Sequence, residues 1–227
     1  MIQEALTTMT EKDIDTQAPV DNEQEQEQEQ EQEQDQEREQ AQIIMTWFQH
    51  IQEVMKEQFP EYEVDGQIGN NPTYGPMFAF TLKNDEKSTS CGFFLNEIMR
   101  NFQTNPNAGL WLSSFFVDLL RSPENHPLPN PPQSEDEAKE LLDKHIVPYC
   151  ASTVREEFPD QKIYVDLELH EEHGPVLEAG FVAVENGNNT CALPLQYLMT
   201  LYLLNRDPAE PLIQAMYRLY EENNLGQ

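Results

Sequence analysis

Two sets of apolar positions run along this chain in the same order, and each opens with a helix-like stripe. Ile44, Trp47, Ile51, Met55 and Phe59 fall three to four residues apart, as do Leu142, Ile146, Cys150, Val154 and Phe158. That spacing lines one face of an amphipathic helix. After each stripe the period changes to two, the mark of half-buried strands. The first set holds Val64, Gly66 and Ile68, then Phe78, Phe80 and Leu82, then Cys91, Phe93 and Leu95. The second holds Ile163, Val165 and Leu167, then Leu177, Ala179 and Phe181, then Cys191, Leu193 and Leu195. Helical spacing then returns, with Ile98, Met99 and Phe102 matched by Leu198, Met199 and Tyr202, and Leu110, Trp111 and Phe115 matched by Leu212, Ile213 and Tyr217.

Short identities fix the phase between the two sets. Phe59-Pro60 and Phe158-Pro159 are 99 residues apart, and so are Gly75-Pro76 and Gly174-Pro175. The strand cysteines Cys91 and Cys191 are 100 apart, and Asn105-Pro106 meets Asp207-Pro208 at 102. Each of the latter pairs places a capping side chain before a proline, a helix-start signal. The expected fold class is α+β, a tandem repeat of a helix, three-strand antiparallel meander, helix, helix unit. Units of roughly 80 residues have thin cores, so the pattern predicts that the two pack together as an internal pseudo-dimer. Abutting sheets would give six strands in one sheet, and abutting helices would leave a groove.

The breaks in the pattern set the domain limits: an acidic Glu/Gln-rich tail over 1–42, repeat 1 over 43–121, a proline-rich linker over 122–134 and repeat 2 over 135–223. From Glu23 the tail is a run of Glu-Gln pairs with nothing to bury. A helix there sets Glu23 against Glu27 and Glu25 against Glu29, like charges that each cost a few tenths of a kcal/mol. Disordered chain is therefore expected, although Glu and Gln have good helix propensity. Pro123, Pro127, Pro129, Pro131 and Pro132 make the linker a semi-rigid spacer. Ser134 and Glu137 predict a capping box, and Pro148 predicts a kink in the helix that follows.

Charge narrows the partner classes. The formal net charge is −29, of which the tail carries −12 from 14 acids and 2 bases, leaving −17 on the remainder. Such a surface repels nucleic acid and anionic lipid and favours a basic protein partner. No apolar run reaches the ~18 residues of a membrane span, and no signal-like segment stands at Met1 to Asp15. Three cysteines without a C-x-x-C pair point to a reducing compartment, so a cytoplasmic location is expected.

Candidate chemistry is sparse. His170-Glu171-Glu172-His173 looks metal-binding, but its histidines are three apart on a predicted hairpin, whereas the zinc protease motif needs four on a helix. His170 and His173 are thus weak metal candidates, and no cofactor is expected. Cys91, Cys150 and Cys191 fall on apolar phases and read as small core residues. On the first strands, Glu61, Glu63 and Asp65, and later Asp166 and Glu168, alternate with the apolar set and form a carboxylate-lined face. Aromatics on the last helices, Trp111, Phe115 and Phe116 with Tyr217 and Tyr220, exceed what one helix face buries and mark a contact with a partner or between repeats.

The order helix, three strands, helix resembles that of the small acidic secretion chaperones and related sensory-regulator domains. The resemblance implies uptake of an extended peptide at a sheet edge or an interhelical groove. The functional expectation is a non-enzymatic protein-binding module, chaperone-like, adaptor or immunity-type, using an acidic, aromatic-lined surface. The alternatives are an inhibitor that mimics nucleic acid and a metal-dependent enzyme using the His170 loop.

Overall fold

The computed structural model describes residues 21–182 and 189–223. It divides the chain into two compact units, residues 1–46 and 47–227. Helix α1 spans Asp21–Gln58 and so runs through the Glu-Gln pairs where extended chain is expected. Helix propensity of Glu and Gln works against the i,i+4 repulsion there, and residues 1–20 of the expected tail lie outside the described residues. Within the first unit Arg38 and Asp35 form an exposed ion pair, and the Thr46 hydroxyl donates to the Gln42 carbonyl.

The second unit is α+β with two three-stranded antiparallel sheets. One module has β1 (Glu63–Asn71), β2 (Gly75–Lys83) and β3 (Ser88–Phe94), followed by α2 (Leu95–Thr104) and α3 (Ala108–Arg121). The other has β4 (Ile163–His170), β5 (Gly174–Phe181) and β6 (Thr190–Pro194), followed by α6 (Leu195–Leu203) and α7 (Glu210–Glu222). Between them lie the linker, α4 (Glu135–Leu141), a π-helical turn (Leu142–Ile146) and α5 (Val147–Glu157). The sheets stay separate, so the six-stranded alternative does not form. Gly75 and Gly174 open β2 and β5 with φ of 79° and 68°, left-handed backbone that suits glycine at both hairpin turns.

The central strand of each sheet buries the face that period-two alternation assigns, whereas Ile68 and Leu167, expected on that face of the outer strands, are exposed. Phe78, Phe80, Leu82, Cys91 and Phe93 are buried with Ile51, Met55, Ile98, Leu112 and Phe116. Leu177, Ala179 and Phe181 are buried with Ile146, Cys150, Val154, Leu198, Leu212 and Met216. Helix starts depart slightly from expectation. The Asn105 and Asp207 side chains accept the amides of Asn107 and Ala209 at 2.9 and 2.8 Å, capping a turn ahead of helices that begin at Ala108 and Glu210. Ser134 caps α4 as expected, accepting the Glu137 amide at 3.2 Å, while the Glu137 carboxylate reaches back to the Gln133 amide at 2.7 Å.

The π-helical turn explains why Leu142, Ile146, Cys150, Val154 and Phe158 are spaced strictly by four. At 3.6 residues per turn, each such step overshoots by about 40°, so five positions would drift off one α-helical face. The turn absorbs that excess: the Val147 amide bonds the Leu142 carbonyl, five residues back. It also lies just upstream of Pro148, which has no amide to donate and whose ring crowds the preceding turn. The helix is thus locally widened just ahead of Pro148.

Candidate protein-interaction surface

The modules meet through unlike surfaces. Leu204, at the α6–α7 corner, inserts over β3 where Gly92 leaves space: a Cβ at Gly92 would lie 2.3 Å from Leu204 Cδ2. The Gly92 amide donates to the Leu204 carbonyl at 2.8 Å, and Phe94, Leu201 and Leu204 form a small buried cluster with Tyr74, Met77 and Tyr197 against it. Asn205 follows with φ of 54°. Its amide nitrogen reaches the carbonyls of Ser90, His126 and Pro127 at 2.7, 3.1 and 3.0 Å, so the strained residue pins β3 and the linker to the second module.

Arg206 completes the joint. Its guanidinium forks onto Glu97 at 2.9 and 3.1 Å, with side-chain exposures of 10% for Arg206 and 20% for Glu97. It also stacks over Phe115 at 3.9 Å from the ring centroid and near Phe93 at 5.4 Å. Burial disfavours its charge, yet the Glu97 carboxylate holds the Arg206 pKa above its ordinary value.

The aromatic residues singled out from sequence divide accordingly. Phe115 lies at the joint beneath Arg206, and half-buried Trp111 sets its edge against Phe93 and Phe115. Phe116 is fully buried among Phe59 and Phe93 in the core of the first module. Tyr217 and Tyr220 pack on Phe158, and the exposed Tyr217 hydroxyl bonds Glu157. Of the five, Phe115 meets Arg206 of the opposite module, and position on a helix face could not foretell that.

His170 and His173 stack with centroids 4.8 Å apart at the exposed β4–β5 hairpin tip. Among the described residues no group of three or more His, Cys, Asp or Glu side chains is arranged to hold a metal ion. Burial pushes the thiols of Cys91 and Cys150 up to about 12 and that of Cys191 to about 11, which leaves them protonated and poorly nucleophilic near neutrality. A cleft of about 650 Å³ lies between the modules, with Leu119, Pro129, Ile146, Tyr149 and Tyr202 on its walls. Its buried cation, Arg206, is already neutralised by Glu97, and Asp207 raises the pKa of Tyr149 beyond the effect of burial.

The remaining feature is the condition of the sheet edges. Around β3 the Ser90 and Gly92 amides and the Ser88 carbonyl bond outward to His126 and Leu204, so these residues face away from β2. Carried across the β2 register, that alternation makes Val64, Gly66 and Ile68 the residues whose backbone faces outward on β1. Two of those outward groups are capped internally: Gln52 donates to the Val64 carbonyl at 3.3 Å, and Asp65 accepts the Gly66 amide at 2.8 Å. Phe48 covers Gly66 and stacks on Phe80. The β3 edge of the first sheet is therefore occupied by the chain itself, and the β1 edge is capped at the Val64 carbonyl and the Gly66 amide.

On β4 the phase is set by the Val182 amide, which donates to the Lys162 carbonyl at 2.9 Å. Alternation then turns Tyr164, Asp166 and Glu168 toward β5 and leaves the amides and carbonyls of Ile163, Val165, Leu167 and Leu169 facing outward. No described residue bonds these outward groups. Leu167 is 51% exposed and Leu169 81%, while Asp166 and Glu168 are exposed on the other face, beside Glu178 on β5. No helix among the described residues is long and apolar enough to cross a membrane. No protein-family model matches this chain, and comparison with curated proteins and with solved structures finds no match for it either.

Proposed function

We propose that the chain is a non-enzymatic protein-binding module made of two copies of one α+β unit, and that it holds a basic partner on the acidic sheet of its second copy. The duplication rests on corresponding registers: with a shift of 99, Val64↔Leu82 answers to Ile163↔Phe181, and Ile68↔Phe78 answers to Leu167↔Leu177. The joint is head-to-tail, since Leu204 and Arg206 of one copy meet Gly92 and Glu97 of the other. The observation that carries the binding reading is the outer strand β4 of the second copy, whose outward groups no described residue bonds, acidic at Asp166 and Glu168 beside Glu178 and apolar at exposed Leu167 and Leu169.

The test is capture from the cell of origin with immobilised full-length chain. A protein retained at low ionic strength and released as salt rises is the expected result. An empty eluate, or equal retention by the triple variant Asp166→Asn, Glu168→Gln, Glu178→Gln, refutes the reading.

A further inference from the structure

We infer that the outward edge of β4 accepts an extended polypeptide segment in which basic and apolar residues alternate, added as a fourth strand to the second sheet. This rests on the binding reading above and names its mode and the chemistry of the partner segment.

No described residue bonds the outward amides and carbonyls of Val165, Leu167 and Leu169, and the side chains of these residues lie on the apolar face. An antiparallel newcomer would exchange hydrogen bonds with these three residues, and its side chains opposite them would extend the apolar face over Leu167 and Leu169. Its intervening residues would stand opposite Asp166 and Glu168. These are the non-hydrogen-bonded pairs, in which facing side chains come closest, so lysine or arginine there meets a carboxylate directly. Period two on β4 thereby prescribes period two in the partner.

In the first copy the start of the equivalent edge is capped, by Gln52 at the Val64 carbonyl, by Asp65 at the Gly66 amide and by Phe48 over Gly66, and the linker at His126 forms a parallel bridge with Thr89 on the far edge. That bridge is extended chain seated on this kind of sheet. β6 offers a poorer site, being five residues long and ending in Pro194, which has no amide. The chain's own tail is unsuited as occupant, since residues 1–42 carry 14 acids and 2 bases. A second copy is disfavoured by the net charge of −29 on each chain.

Binding of a labelled peptide of about nine residues with alternating lysine and valine, followed by fluorescence anisotropy against the full chain at about 50 mM salt, tests the inference. A composition-matched peptide with its lysines in one block is the charge control. The alternating peptide is expected to bind at least about tenfold tighter than the block peptide. Asp166→Asn with Glu168→Gln should remove about tenfold of that affinity, whereas Asp65→Asn on β1 should leave it unchanged. Methylating alternate peptide amides on the pairing side should abolish binding, a change that leaves the protein untouched. Equal binding of the two peptides, insensitivity to the β4 variants, or a dimer of the free chain lost on Leu169→Lys overturns it. A partner captured from cells and unaffected by the β4 variants would sink this inference while leaving the binding-module reading standing.

Discussion

Removing Arg206 should uncouple the two modules, and the cost follows from its surroundings. The guanidinium makes two bonds to Glu97 and lies flat on Phe115, with the pair largely withdrawn from water. Breaking a buried ion pair from one side costs about 3–5 kcal/mol because the surviving charge is stranded. Glu97 retains 20% exposure, so solvent relieves part of that, and about 3 kcal/mol is expected for Arg206→Gln. With a urea m value of about 2 kcal/mol/M, the midpoint falls by about 1.5 M. Trp111 reports the loss directly, since its ring abuts Phe93 and Phe115 beneath the guanidinium. The double variant Arg206→Met, Glu97→Leu strands no charge and should lie within about 1 kcal/mol of the parent. A single variant within about 0.5 kcal/mol of the parent, or a double variant as costly as the two singles added, refutes the account.

Gly92→Ala should cost about 1–3 kcal/mol by overpacking against Leu204, and Gly92→Ala with Leu204→Ala should recover the clash but not the lost burial, both read by thermal unfolding. At Asn205, Ala should be worse than Gly by about 1 kcal/mol, because both lose the three carbonyl contacts but only Ala suffers in the left-handed region. The native thiols should react slowly with an aromatic disulfide reagent at about pH 8 and rapidly in urea; fast labelling of native Cys91 would contradict its burial. Because folding raises the Cys91 pKa from about 9 to about 12, the unfolded chain loses its proton first as pH rises. Stability should be full below about pH 9 and fall between about 9 and 12, a slope that Cys91→Val should reduce.

The alternation of apolar residues determined much of this molecule by itself. Period two at Phe78, Phe80 and Leu82 and again at Leu177, Ala179 and Phe181 leaves one face per strand to bury, and the structure buries those residues. The change to helical spacing after Leu95 and Leu195 is equally local, because each element needs only its own sequence to define its apolar face. The site was legible only in part. Asp166 and Glu168 stand out as acids on a strand, but whether an edge is open depends on residues far away in sequence. Val64 and Ile163 read alike, yet Gln52 caps the carbonyl of the first, twelve residues off, and nothing described caps that of the second. Phe115 and Phe116 are neighbours on one helix, and which of them meets Arg206, some ninety residues onward, is fixed only when the modules dock. Sequence decides periodicity, which is a property of adjacent residues; the joint and the open edge arise from long-range packing, where the absence of a Cβ at Gly92 counts for as much as any side chain.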